Sequence, residues 1–199
     1  MIDNLINFLK SRTFIYAAAG ILILVLGYNL MTYFNAQKNK EEFLNFVEIN
    51  EGFGRELGTA EELYDQLDLD FQNYGYELIT KSILSRKALD ESNYNLALEL
   101  YLEIYSELAS SNISNQTKYI LLEQYAENIV RLFMQLDKYE EGKKFIATVN
   151  SDFNTFNELV GDFHKFFGQA ELANEYYDKA LSADLNDTQK NLIKLKKIP

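Results

Sequence analysis

The sequence contains no cysteine, which excludes disulfide bridges, thiolate metal sites and thiol catalysis. That suits an oxidising compartment without requiring one. Its only proline is Pro199, the last of 199 residues. A chain with no internal proline, rich in Leu, Glu, Lys, Ala and Gln, permits long uninterrupted helices. There is one histidine, His164, flanked by Phe163 and set where a helix should face its neighbour; it reads as a packed residue and not as a catalyst. Gly52, Gly54 and Gly58 are not followed by the lysine of a phosphate loop. Asp65, Asp68 and Asp70 lack the glycine and closing glutamate of a calcium loop. We therefore expect no catalytic activity, no metal and no cofactor.

Positive charge is scarce in the middle of the chain. Of 19 basic and 30 acidic side chains, four basic and one acidic fall in residues 1–40, and four basic and no acidic fall in 190–199. Residues 41–189 are left with 11 basic against 29 acidic, a net of −18. So negative a surface excludes nucleic-acid binding by counterion release. It is also repelled by anionic headgroups and reads as a solvated domain standing off any membrane.

What the sequence does have is one uncharged run. Residues 14–33, FIYAAAGILILVLGYNLMTY, sit inside an uncharged window from Thr13 to Gln37. Twenty helical residues span about 30 Å, the thickness of a hydrocarbon core, so Phe14–Tyr33 is expected to cross a membrane once. Before it, residues 1–13 form a tail in which Ile2, Leu5, Ile6 and Leu9 recur at helical spacing. That tail is either an interfacial helix or the start of the span. No small-x-small cleavage site follows the run, because Phe34 stands where a small residue is needed before Ala36, so an uncleaved anchor is expected. Charge leaves the orientation open, with Lys10 and Arg12 on one side and Lys38 and Lys40 on the other. Gly20 and Gly27 are either a packing face for another membrane helix or ordinary composition.

Residues 35–75 read as a linker with lead-in helices. The helical pattern through Phe43, Phe46 and Val47 is expected to break at Gly52, Gly54 and Gly58. Thr59 with Glu61 and Glu62 then starts a short helix to about Leu69.

Residues 76–199 contain a repeat. Ala97, Gly142 and Ala173 share one small-residue position. Tyr101, Ile146 and Tyr177 follow four residues on, and Ile104, Val149 and Ala180 three beyond. Each set marks the second helix of a pair. Twelve residues before the small position stand Ser85, Val130 and Gly161, where the first helix can approach closely. The first helices are expected at Tyr76–Asp90, Lys118–Leu136 and Phe153–Phe167. The small positions are 45 and then 31 residues apart, against 34 in tetratricopeptide repeats, and the excess is assigned to a loop at Ala109–Thr117. Asn186–Pro199 reads as a capping helix with Leu192, Ile193 and Leu195 inward and Lys190, Lys194, Lys196 and Lys197 outward, or as a basic patch for a partner. The fold class is all-α: one N-terminal transmembrane helix at 14–34, then a tetratricopeptide-like array.

Stacked pairs line an inner wall with their first helices. The repeat frame places Ile79, Ser82, Arg86 and Leu89 there in the first unit. Gln124, Glu127, Arg131 and Met134 follow in the second, and Thr155, Glu158, Asp162 and Lys165 in the third. Such a mixed wall is either a groove for an extended or helical peptide or a solvated face.

The order of parts, the opening QNYGYEL at Tyr74–Gly75, and the unit GDFHKFFGQAELANEYYDKAL resemble the YfgM family of ancillary subunits of the bacterial SecYEG translocon. The likeness runs from the tail to LIKLKK. It implies a type II inner-membrane protein with its domain in the periplasm. It implies partnership with the translocon and the periplasmic chaperone PpiD, and a role in handling newly exported polypeptides. The chain departs from the family in being more acidic and more aromatic, with 14 Tyr and 14 Phe, so no contact residue is carried over. The alternative expectation is a membrane-tethered scaffold for another envelope or signalling complex.

Overall fold

The computed structural model of the chain describes residues 12–54, 58–66, 74–149 and 156–198, the first twelve of them as backbone only. The tail at 1–11, Asp68, Asp70 and Thr155 lie outside the described residues. Among the described residues every regular element is a helix. In chain order these are α1 (Arg12–Gly54), α2 (Ala60–Gln66), α3 (Tyr74–Asp90), α4 (Tyr94–Ser110), α5 (Asn115–Gln135), α6 (Tyr139–Ile146), α7 (Phe156–Phe166), α8 (Ala170–Leu181) and α9 (Asp187–Lys196).

Three antiparallel pairs follow: α3 with α4, α5 with α6, and α7 with α8. Each turn between the helices of a pair has the same geometry. Ser92, Asp137 and Gly168 adopt positive φ of 61°, 56° and 72°, each two residues before the second helix begins. The next N–H in each turn reaches back five residues to close the first helix: Asn93 to the Ala88 carbonyl at 2.8 Å, Lys138 to Phe133 at 2.9 Å, Gln169 to His164 at 2.8 Å. That is the Schellman closure, in which a left-handed residue lets the final carbonyls find donors. The three turns are spaced like the three small-residue positions, so the repeat register holds in the backbone.

The register also explains the packing. Ala97, Gly142 and Ala173 are buried, as are Tyr101, Ile146 and Tyr177, then Ile104, Val149 and Ala180. A Cβ at Gly161 would lie 2.5 Å from the Tyr177 ring, and one at Gly142 would lie 2.6 Å from the Phe163 ring. Neither position has room for a methyl. One continuous apolar core runs from Ala60 to Phe163, and a smaller one joins Ala173, Tyr177 and Ala180 to Ile193 of α9.

Several expectations need correcting. Gly52 and Gly54 do not break α1, which continues through Gly54; helical glycine costs only about 1 kcal/mol relative to alanine. Positive φ comes at Gly58 (86°), and Thr59 and Glu62 then form a reciprocal cap, each side chain accepting from the other's N–H at 3.2 and 2.9 Å. The loop assigned to Ala109–Thr117 is only residues 111–114, because the Ser114 hydroxyl caps α5 by accepting from the Thr117 N–H. The long first spacing is taken up by longer helices, 17 residues in α4 and 21 in α5. In the cap Ile193 alone is buried, while Leu192 and Leu195 are 55% and 82% exposed.

α1 is 43 residues long, about 65 Å, and its far end packs on α3, where the Phe43 and Phe46 rings meet Tyr76. Every residue from 24 to 41 is exposed, including Leu24, Leu26, Leu30, Met31 and Phe34. Among the residues whose side chains are described, which in α1 begin at Leu24, no helix is long and apolar enough to cross a membrane.

Candidate functional site

α5 meets α3 through Tyr125 and Ser82 and packs along α7, and two hollows border it. The first, about 640 Å³, is lined mainly by α3: Leu78, Ile79, Ser82, Ile83, Arg86 and neighbours, with Tyr125 of α5 opposite. Its floor is apolar. The Ser82 hydroxyl donates to the Leu78 carbonyl at 2.6 Å and meets the Tyr125 hydroxyl at 2.7 Å. Its rim cations are paired along the helix, Arg86 with Asp90 at 3.1 Å and Lys87 with Glu91 at 2.9 Å.

The second hollow, about 410 Å³, lies between α5 and α7 and is strongly charged. It is lined by Glu127, Arg131, Glu158, Leu159, Asp162 and Lys196. Arg131 pairs with Glu127 at 3.5 Å. Lys196, at the end of α9, bridges Glu158 at 2.6 Å and Asp162 at 2.7 Å. Burial lowers the Lys196 ammonium, but hydrogen bonds to Asp162 and Glu158 outweigh it and its pKa is raised. Asp162 also accepts from the Tyr177 hydroxyl at 2.8 Å. Burial and that bond to a carboxylate together push the Tyr177 phenol well up.

Of the twelve residues the repeat frame selects, Ile79, Ser82 and Arg86 meet in the first hollow. Glu127, Arg131, Glu158 and Asp162 meet in the second. Gln124 is exposed beside them. Leu89 and Met134 are half-buried and pack against the main core. Lys165 donates to the Lys196 carbonyl at 2.6 Å. The frame omits Tyr125, which follows Gln124 and reaches α3, and Lys196, which no helical spacing connects to α7. It also omits Lys81, which is buried behind the first hollow among Glu77 (3.0 Å), Glu103 (3.0 Å) and Glu107.

His164 is 3% exposed, stacked on Tyr176 with ring centroids 5.3 Å apart, and 3.5 Å from the Tyr139 hydroxyl. Burial and then Lys143 lower its pKa, with Glu175 opposing. Among the described residues no group of His, Asp and Glu is placed to hold a metal ion.

The arrangement sets an apolar hollow and a charged hollow along the first helices, held in place by the paired helices. No curated protein and no solved structure matches the chain. The tetratricopeptide repeat-like domain matches residues 10–197, and the chain belongs to that family.

Proposed function

We propose that the protein is a non-catalytic, membrane-anchored adaptor or chaperone that holds polypeptide segments against the first helices α3, α5 and α7. The observation that carries this is that an apolar hollow and a charged hollow both border α5. An apolar floor of Leu78, Ile79 and Ile83 takes an aliphatic or aromatic side chain, and the ion-paired rim and the charged second hollow take polar groups of the same segment. Family membership supports protein partners in general.

The anchor is α1. Its uncharged window, Thr13–Gln37, is long enough to span a bilayer, and the apolar side chains from residue 24 are exposed all round the helix rather than on one stripe. Lipid covers such a surface where water would not. The resemblance to the YfgM family supplies the finer reading: a type II inner-membrane protein with α2–α9 in the periplasm. There it works beside the SecYEG translocon and PpiD on newly exported polypeptides.

The experiment is photocrosslinking in intact membranes from a probe at Ile79, which is 45% exposed in the first hollow. Adducts with translocon subunits, PpiD or exporting chains are the expected result. Adducts with none of these, in membranes where the protein is present and folded, would remove the proposal.

A further inference from the structure

The second hollow already holds a short stretch of polypeptide. After α9 the chain leaves the helix, with Lys197 at φ −59° and ψ 141°, and runs extended across α7 and α8. Lys196 enters between Glu158 and Asp162. Lys197 reaches the Asp178 carboxylate at 2.8 and 3.0 Å. The Asn174 side chain grips the main chain of Ile198 twice: its amide donates to the Ile198 carbonyl and its oxygen accepts the Ile198 N–H, each at 2.9 Å. Lys165 donates to the Lys196 carbonyl.

Capping the array does not require these contacts. Ile193 alone covers Tyr177, Ala173 and Ala180. The residues beyond it are held through backbone groups and through two cations, which is how a protein binds an extended basic segment. The anchor points come from both helices of the third pair, Glu158, Asp162 and Lys165 from α7 and Asn174 and Asp178 from α8. They converge on three consecutive residues.

We propose that Lys196–Ile198 is an internal ligand, and that the site of Glu158, Asp162, Asn174 and Asp178 takes a lysine-bearing extended segment of a partner polypeptide in its place. This rests on reading the first-helix face as polypeptide-binding, and it names what one end of that face selects. The internal segment is held by ion pairs on side chains that are 33–61% exposed at the carboxylates, each worth at most about 1 kcal/mol. It persists because tethering gives it an effective concentration of order millimolar. A free segment with the same contacts therefore competes poorly until the tether's cations are removed.

The test uses the full chain in detergent or nanodiscs and the labelled nonapeptide KNLIKLKKI, which repeats residues 190–198. Its control, KNLIKLQQI, lacks the two bridging cations. The double variant Lys196→Gln, Lys197→Gln is expected to bind the nonapeptide at least tenfold more tightly than the unaltered chain, and the control peptide no better than the unaltered chain does. Adding Asn174→Ala or Asp162→Asn to the double variant is expected to abolish the gain.

A second measurement needs no change at the site. Leu195→Cys creates a unique cysteine on an 82%-exposed position, and a spin label there reads the segment's mobility. Excess nonapeptide should mobilise the label and the control peptide should not. Equal binding by the double variant and the unaltered chain, or a label that stays immobile at saturating peptide, would overturn the proposal. Adducts at Ile79 alongside such a result would leave the broader reading standing. A missing Ile79 adduct with successful exchange would leave only this site.

Discussion

The first and third helical pairs make the same crossing with opposite materials. In the α3–α4 pair the close-approach position is Ser85, whose hydroxyl donates to the Lys81 carbonyl one turn back at 2.6 Å and also interacts with the Tyr101 hydroxyl of α4. The cross-pair tie is ionic: Lys81 of α3 is pinned by Glu103 and Glu107 of α4 as well as by Glu77. In the α7–α8 pair the same position is Gly161, and the tie is a tyrosine, Tyr177, lying on that glycine and donating to Asp162. The donor has moved from the first helix to the second. A shared register thus does not require shared chemistry; it requires one small residue, one bulky residue and one satisfied polar link at the crossing.

The sharpest way to break the first pair is Lys81→Met. Its side chain is 7% exposed, and removing its charge leaves three carboxylates facing one another. Breaking a buried ion pair by deleting one partner costs about 3–5 kcal/mol, and the partial exposure of these glutamates puts the expected loss near 3 kcal/mol. Urea unfolding measures it, and adding Glu103→Gln and Glu107→Gln should restore most of it. A loss below 1 kcal/mol would mean the cluster is solvated and the pair is held by its apolar seam alone. Burial lowers the Lys81 ammonium, but the hydrogen bonds it donates to Glu107, Glu103 and Glu77 outweigh it and the pKa is raised. The contribution is therefore complete at neutral pH and is lost as pH rises through that raised value.

The third pair breaks through its glycine. Gly161→Ala forces a methyl to within 2.5 Å of the Tyr177 ring. Overpacking costs about 1–3 kcal/mol and the better helix propensity of alanine returns about 1 kcal/mol, so a net loss of up to about 2 kcal/mol is expected. The same substitution at Ser85 in the first pair adds no atoms to the crossing and removes the hydroxyl's contacts with the Lys81 carbonyl and Tyr101, so it should cost less. If urea midpoints rank the two variants the other way, the crossings are not equivalent.

That ranking was partly legible in the sequence. The small and bulky positions at Ala97, Gly142 and Ala173 and their followers exposed the register, because packing allows only small residues where helices cross. The turns were half hidden. Gly168 announces positive φ, whereas Ser92 and Asp137 occupy it without glycine, held by the carbonyls they cap. The hollow-lining residues on α3, α5 and α7 followed from helical spacing within one element. Tyr125, Lys81 and Lys196 did not, since each acts through a neighbour distant in sequence: Tyr125 on Ser82, Lys81 on Glu103, Lys196 on Glu158. Composition alone said nothing of α1 running on through Gly52 and Gly54, because glycine weakens a helix by less than the packing of Phe43 and Phe46 on Tyr76 can offset.

The smallest effect separates the two pairs by the sign of their pH dependence. His164 is the third pair's buried base, and its pKa is lowered by burial and by Lys143. An unfolded histidine binds a proton that the folded one refuses, so stability is full above the ordinary histidine value near 6.5 and falls as pH drops below it. One such group sets a slope no steeper than about 1.4 kcal/mol per pH unit, flattening once the folded histidine also protonates. Lys81 has the opposite sign and acts only at alkaline pH, so it is silent in this window. Hydrogen exchange, corrected for intrinsic rates, should show α7 and α8 amides losing protection from pH 7.5 to 5.5 in the unaltered chain. His164→Phe, which keeps a ring against Tyr176 and Tyr139, should lose measurably less. Equal losses in both would assign the acid response to the surface carboxylates and leave the histidine a packed ring with no titration to contribute.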